Sequence, residues 1–259
     1  RNPDVILGLK VEIDSVDGES GAGFFNAGDF PEITFDVVDA DGNSVPIDDL
    51  SVSLLLSGPV SNYQRVFPID GAASSTVSLK GAGGVPSTGT GPFTYTSPDA
   101  LPANFPAPFN DSANFTFADG WGELSGLPLV DGDYTVMIYA YVTHDVNGTN
   151  YRETSMPGTF EIRIGSAGGT PGYTGEKALV TDATCNACHG DLRFHGNTRR
   201  GVQNCVMCHT AGAEDLPTAA AGQTQQPEAD TIDWKVMIHK IHAARDLSVV
   251  QNGGAYDIV

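Results

Sequence analysis

Residues 133–143 read DYTVMIYAYVT. Successive side chains of an extended chain point to opposite faces, so Tyr134, Val136, Ile138, Ala140 and Val142 form one apolar row, as in a half-buried strand. Working outward, Pro31 to Asp39 alternates in the same way: Ile33, Phe35 and Val37 interleave with Glu32, Thr34 and Asp36, and Asp41-Gly42-Asn43 follows as a hairpin-type turn. Phe160, Ile162 and Ile164 repeat the pattern in Thr159 to Ile164. Further short strands are expected at Val5 to Ile13, Leu50 to Leu56, Gln64 to Pro68 and Pro92 to Thr96. The connection from Gly71 to Asp99 otherwise reads as a long excursion with little regular structure. Strands this short and this many predict an all-β N-terminal domain, either an Ig-like sandwich or a split Greek-key barrel.

The composition agrees. Among 259 residues, 40% are hydrophobic and 17% charged, with 31 Gly and 16 Pro, a turn-rich globular balance. The net charge of −19 makes nucleic acid and anionic lipid poor partners. No apolar run reaches the roughly 18 to 20 residues that a spanning helix needs. The chain opens at Arg1 without an initiator Met, which reads as a mature or trimmed product.

The character changes after Gly165-Ser166-Ala167-Gly168-Gly169-Thr170-Pro171-Gly172, a hinge by composition. Residues 1–170 hold six Lys and Arg against 22 Asp and Glu; residues 171–259 hold seven against ten, together with all four Cys and five of the six His. The division expected is a β domain over 1–165, a linker over 166–182 and a second domain over 183–259, mostly irregular or α, which carries the cysteines. Thr210 to Gln226 reads as a loop. Thr231 to Arg245 (TIDWKVMIHKIHAAR) reads as a helix capped by Asp230 or Thr231, with Trp234, Ile238 and Ile241 on its apolar face.

The haem assignment comes from a motif that occurs twice, Cys185-Asn186-Ala187-Cys188-His189 and Cys205-Val206-Met207-Cys208-His209. In C-x-x-C-H two thiols on a tight turn add to the two haem vinyl groups, and the following His becomes the proximal iron ligand. The same cysteines also fit a zinc-ribbon spacing, or a pair of disulfides. The histidines favour haem, because His fills only 6 of 259 positions yet follows both pairs, and zinc on four thiolates needs neither. Two six-coordinate irons need two more ligands, and His195, His239 and His242 are available. His239 and His242 are three apart on the expected helix and share a face. One His is therefore in surplus, either structural or serving a haem attached elsewhere, and the ending Gly253 to Val259 reads as truncated. Met207 and Met237 are rival axial ligands; the first lies inside an attachment loop, and the second reads as packing. His144, at a strand end, reads as a satisfied structural residue.

CNACHGDLRFHG (185–196), CVMCHT (205–210) and WKVMIHKIHAARDL (234–247) resemble the start of the haem domain of OmcA/MtrC-type outer-membrane multihaem c-type cytochromes. The resemblance covers residues 183–250 by motif and residues 1–165 by architecture only. It implies bis-His haems with His189 and His209 proximal and His195, His239 and His242 distal. It implies electron transfer at the cell surface, outer membrane or extracellular space rather than the periplasm, toward other multihaem cytochromes, an outer-membrane conduit, extracellular metal oxides or flavins. Members carry many more haem motifs than the two here.

The function expected is thus a multihaem c-type cytochrome with at least two covalent haems, more an electron carrier than an enzyme. The alternatives are a subunit of a polymeric cytochrome filament or other homo-oligomer, and a multihaem reductase with one open haem site. Calcium is a weak further possibility at Asp39, Asp41 and Asn43 or at Asp14, Asp17 and Glu19, which hairpin turns explain better. Asn147-Gly148-Thr149 fits a glycosylation triplet and is assigned no function.

Overall fold

The computed structural model describes residues 7–19, 21, 23–69, 76–108, 123–165, 180–214, 231–243, 246 and 251–253. The strands are β1 (Lys10–Asp17), β2 (Phe24–Phe25), β3 (Glu32–Val38), β4 (Leu50–Gly58), β5 (Gln64–Phe67), β6 (Val77–Ser78), β7 (Phe93–Thr96), β8 (Gly132–Val146), β9 (Thr149–Thr154) and β10 (Gly158–Ile164). They form a three-stranded sheet, β1-β3-β7, and a seven-stranded sheet, β2-β10-β8-β4-β5, with β6 on β4 and β9 on β8. One core joins the two sheets: Val11, Ile33, Phe35 and Val37 face Leu54, Val136, Ile138 and Ile162. This is the sandwich alternative, with the sheets touching at one corner through a parallel bridge between Lys10 and Met156.

β8 is the spine of the larger sheet. Its first half pairs with β10, its middle with β4 and its end with β9. The turn between β8 and β9 is Asn147-Gly148, both at positive φ, which is the two-residue hairpin signal. The sequence reading gave that dipeptide no role and missed β9. β7 is the strand expected at Pro92 to Thr96 and pairs with β3, whereas β6, inside the expected excursion from Gly71 to Asp99, was not expected and pairs with β4. The first strand starts later than expected, at Lys10; Val5 and Ile6 lie outside the described residues. Asp41-Gly42-Asn43 is the predicted turn, and the Asp39 carboxylate accepts the Asp41 and Asn43 amides at 2.9 Å each.

After Ile164 the hinge and linker lie outside the described residues up to 179. Among the described residues three short helices are bounded, α1 (Asp182–His189), α2 (Val202–Cys208) and α3 (Trp234–His242), with a small hairpin of β11 (Arg193–Phe194) and β12 (Arg199–Arg200). Both cysteine motifs are helical, not tight turns as predicted. The third helix is shorter than the expected 231–245 and is capped by Asp233, whose carboxylate accepts the Lys235 and Val236 amides; Asp230 lies outside the described residues. Thr231 and Ile232 are instead drawn into extended pairing with Ala213 and Glu214. The buried position of α3 is Met237, packed with Ala213 and Ile232, whereas Ile241 is 47% exposed. The part of the Thr210 to Gln226 loop beyond 214 lies outside the described residues, as does the chain end from 254.

The helical segment sits on the outer face of the seven-stranded sheet. Met207, fully buried, packs on Leu55, Met137 and Tyr139. Ser57 Oγ donates to the Met207 carbonyl at 3.0 Å, Gln203 Nε2 to Tyr63 Oη at 3.2 Å, and Arg152 to the Gly196 carbonyl at 2.8 Å. Thr154 Oγ1 donates to the Asn197 carbonyl. The Arg199 guanidinium lies 4.2 Å from the Tyr139 ring centre, a cation–π contact. Truncating Met207 to Ala should cost about 2–4 kcal/mol by loss of buried volume. Urea unfolding measures it; an unchanged midpoint would show that this contact contributes nothing.

A second tie holds the start of the chain. Burial pushes the Glu153 carboxyl up, but the Leu7 amide, His144, and the Leu9 and Gly8 amides outweigh burial and hold it below its ordinary value of 4.5. His144 Nε2 is 2.9 Å from Glu153 Oε2, the satisfied role expected for it. A carboxyl whose pKa is lower folded than unfolded stabilises fully above its unfolded value, and that contribution fades as pH falls through the folded one. Glu153→Gln should therefore lower stability at pH 7 by about 1–3 kcal/mol and by less in acid. Thermal unfolding of both chains between pH 7 and pH 3 checks the sign: a difference that grows in acid contradicts it.

Candidate haem-binding site

The two motif helices are locked together at their starts. Thr181 caps α1 by accepting the Thr184 amide, and Asp182, in the first turn of α1, accepts the Val202 amide at 2.6 Å at the start of α2. Each helix then ends on its C-x-x-C-H motif. Between them, Asp191 bridges Arg193 and Arg200 across the β11–β12 hairpin, and Asn186 Oδ1 accepts the Leu192 amide. The tip of that hairpin is His195-Gly196-Asn197, three consecutive residues at φ 52–65°. A left-handed conformation at His195 is uncommon for such a residue and fixes where its ring emerges.

The segment before α3 pairs back on the second motif: the Trp234 amide donates to the His209 carbonyl at 2.9 Å and the Ile232 amide to Ala213. The result is two imidazole pairs. His195 and His209 lie with ring centres 5.9 Å apart and planes 22° from parallel; His189 and His242 lie 6.3 Å apart and nearly perpendicular. Each proximal candidate thus has one distal candidate opposite it, and His239 is the one left over. Neither pairing follows the order of the sequence, since His195 lies six residues after His189 yet faces His209.

Three of these rings are oriented by backbone. His209 Nδ1 lies 3.0 Å from the Ile232 carbonyl, His242 Nδ1 2.8 Å from Ile238 and His239 Nδ1 2.5 Å from Lys235. A carbonyl only accepts, so Nδ1 carries the proton and Nε2 keeps its lone pair, the arrangement of metal-ligating histidines. Burial lowers the His209 pKa to about 4, against the Ile232 hydrogen bond that raises it. The protein around His195, then Arg199, lowers that pKa as well. Both rings are neutral at physiological pH. Burial raises the Cys205 thiol to about 12, with Cys208, Cys185 and Asp182 adding to the effect.

These residues fit haem better than zinc. No three His, Cys, Asp or Glu side chains converge among the described residues, as a zinc site requires. Two imidazoles on opposite sides of one metal atom, each nitrogen about 2 Å from it, would have ring centres about 6 Å apart, near the spacing of both pairs. Apolar surface also stands beside the first pair: Phe194, 51% exposed, is in edge contact with His189, and Ile241 is exposed next to His242. Exposed side chains of that size are what a large apolar cofactor covers. Met207 and Met237 are both committed to packing.

The sequence reading missed the docking residues Leu55, Ser57, Tyr63, Met137, Tyr139 and Arg199. Their signal was present in DYTVMIYAYVT: Met137 and Tyr139 alternate with the core row, so the strand is apolar on both faces, as strands covered on both sides are.

No curated protein matches the chain. Among solved structures, a crystal structure of MtrC from Shewanella baltica OS185 aligns with 93% of this chain and 33% of its own, at 20% identity and a TM-score of 0.44. The chain spans about a third of the length of that protein. Residues 177–257 match the family model described as outer membrane cytochrome MtrC/MtrF-like, domains II/IV. The resemblance carried by the two cysteine motifs and the His helix is thus borne out by the family match over residues 177–257, which is similar to the outer membrane cytochromes of the MtrC/MtrF-like type.

Proposed function

We propose that the chain is part of a multihaem c-type cytochrome that passes electrons at the cell surface. In it Cys185 and Cys188 hold one haem and Cys205 and Cys208 a second, as thioethers. The observation that carries this reading is the pair of imidazole couples at 5.9 and 6.3 Å, each joining a motif histidine to a histidine from elsewhere. A haem c at either motif supplies an iron that takes up and releases single electrons.

The chain's own part is to hold and tune. His209 and His195 would be the axial ligands at the second motif, and His189 and His242 those at the first. Two imidazoles per iron leave no coordination position for a substrate, which favours carriage over catalysis. The backbone carbonyls of Ile232 and Ile238 keep Nδ1 protonated and aim Nε2. Met207 fixes the second motif to the sheet from between its two cysteines. His239, one turn from His242 and oriented in the same manner, would serve a haem attached outside these residues. By the family's implication, the electrons would go to other cytochromes, metal oxides or flavins outside the outer membrane.

The test is an intact mass of the denatured, exported chain with a pyridine haemochrome spectrum. Two covalent haems are expected, one of which is lost in a Cys205→Ser, Cys208→Ser variant. His195→Ala and His242→Ala should each convert one low-spin haem to a high-spin form by EPR, while His239→Ala leaves both low-spin. No covalent haem would overturn the reading, and a high-spin signal in the His239 variant alone would overturn the pairing.

A further inference from the structure

Where α2 covers one end of the sheet's outer face, the other end stays open. There Ser51 and Ser53 of β4 lie opposite Tyr141 and Tyr139 of β8 and form the floor of a cleft of about 580 Å³. Thr76, Ser78, Lys80 and Ser87 line it on one side and Arg199 of the hairpin on the other. The cleft therefore sits on the seam between the sheet and the helical segment, a usual place for a ligand site, and its volume is in the usual range.

Its lining runs against the composition of the chain. Asp and Glu outnumber Lys and Arg by 32 to 13, yet among the described residues the lining holds two cations, seven hydroxyl side chains and no carboxylate. Lys80 is held in place by its bond to the Asp48 carbonyl, and the Asp48 carboxylate is occupied by the Gly89 amide. Arg199 is held by the Tyr139 ring and by donation from its Nη1 to the Thr198 hydroxyl at 3.1 Å. Tyr139 itself is 1% exposed, with its Oη beside the Ser53 and Thr76 hydroxyls beneath the cleft.

We infer that this cleft binds a small phosphorylated polyol, of the sugar-phosphate class. Arg199 and Lys80 would take the phosphate, since a guanidinium fork pairs with it bidentately. The hydroxyls both donate and accept, as do those of a sugar, whereas an inorganic ion is too small to reach them all.

Isothermal titration of the intact protein with glucose 6-phosphate, glucose and inorganic phosphate tests it. One glucose 6-phosphate per chain is expected, bound at least about tenfold more tightly than either of the others and weakened by salt. Arg199→Gln and Lys80→Gln should each weaken it about tenfold. Lys80 is a side chain at the rim, so its variant keeps the test valid if the Arg199 change disturbs docking. Absence of heat, an equal affinity for inorganic phosphate, or unchanged binding in the Lys80 variant would each overturn the assignment.

Discussion

The burial of Met207 against Leu55, Met137 and Tyr139 is the contact on which the arrangement of the C-terminal segment depends. A thioether side chain is flexible enough to fill an irregular patch on a sheet, and here it projects from the middle of an attachment motif. With the Met207 carbonyl taken by Ser57, the second motif has one fixed position and orientation on β4 and β8. Every other candidate ligand is placed relative to it. Asp182 ties α1 to the start of α2, and the His209 carbonyl receives the chain leading into α3.

That dependence gives the β sandwich a second task. Its inner face makes the core, while part of its outer face is a platform for a segment that has few buried apolar residues of its own. Met237 and Ile232 are its main private core, and α1 buries no residue at all. A short chain with so little apolar interior cannot hold its geometry alone. The sheet supplies the rigidity on one side, and on the reading offered above covalently bound cofactor supplies it on the other. The arginines follow the same logic: Arg152 and Arg199 bridge sheet and hairpin in a molecule otherwise short of cations.

The orientation of the histidines is set by backbone rather than by acidic partners. Carbonyls of Ile232, Ile238 and Lys235 receive the Nδ1 protons, although the chain carries 32 Asp and Glu. A carboxylate in that place would favour the imidazolium; a carbonyl orients the ring with less bias toward charge. Burial of His209 pushes the same way and keeps it neutral.

The strands of the core were legible in the sequence because period-2 alternation at residues 33–37, 134–142 and 160–164 reports one buried face directly. Candidate attachment and ligand residues could be named from the sequence because C-x-x-C-H is a local pattern whose parts are adjacent in the chain. Helix α3 could be placed but not bounded, since pairing of Thr231 and Ile232 with Glu214 and Ala213 outweighs their helical period. What only the tertiary structure decided is which histidine faces which. Sequence distance suggests His195 for the nearer motif, but a left-handed hairpin tip turns it to His209, and the return of the chain through Trp234 delivers His242 to His189. Local sequence fixes residue types and periods; the pairing of side chains far apart in the chain depends on packing, here on the apolar patch of Leu55, Met137 and Tyr139 on the sheet's outer face.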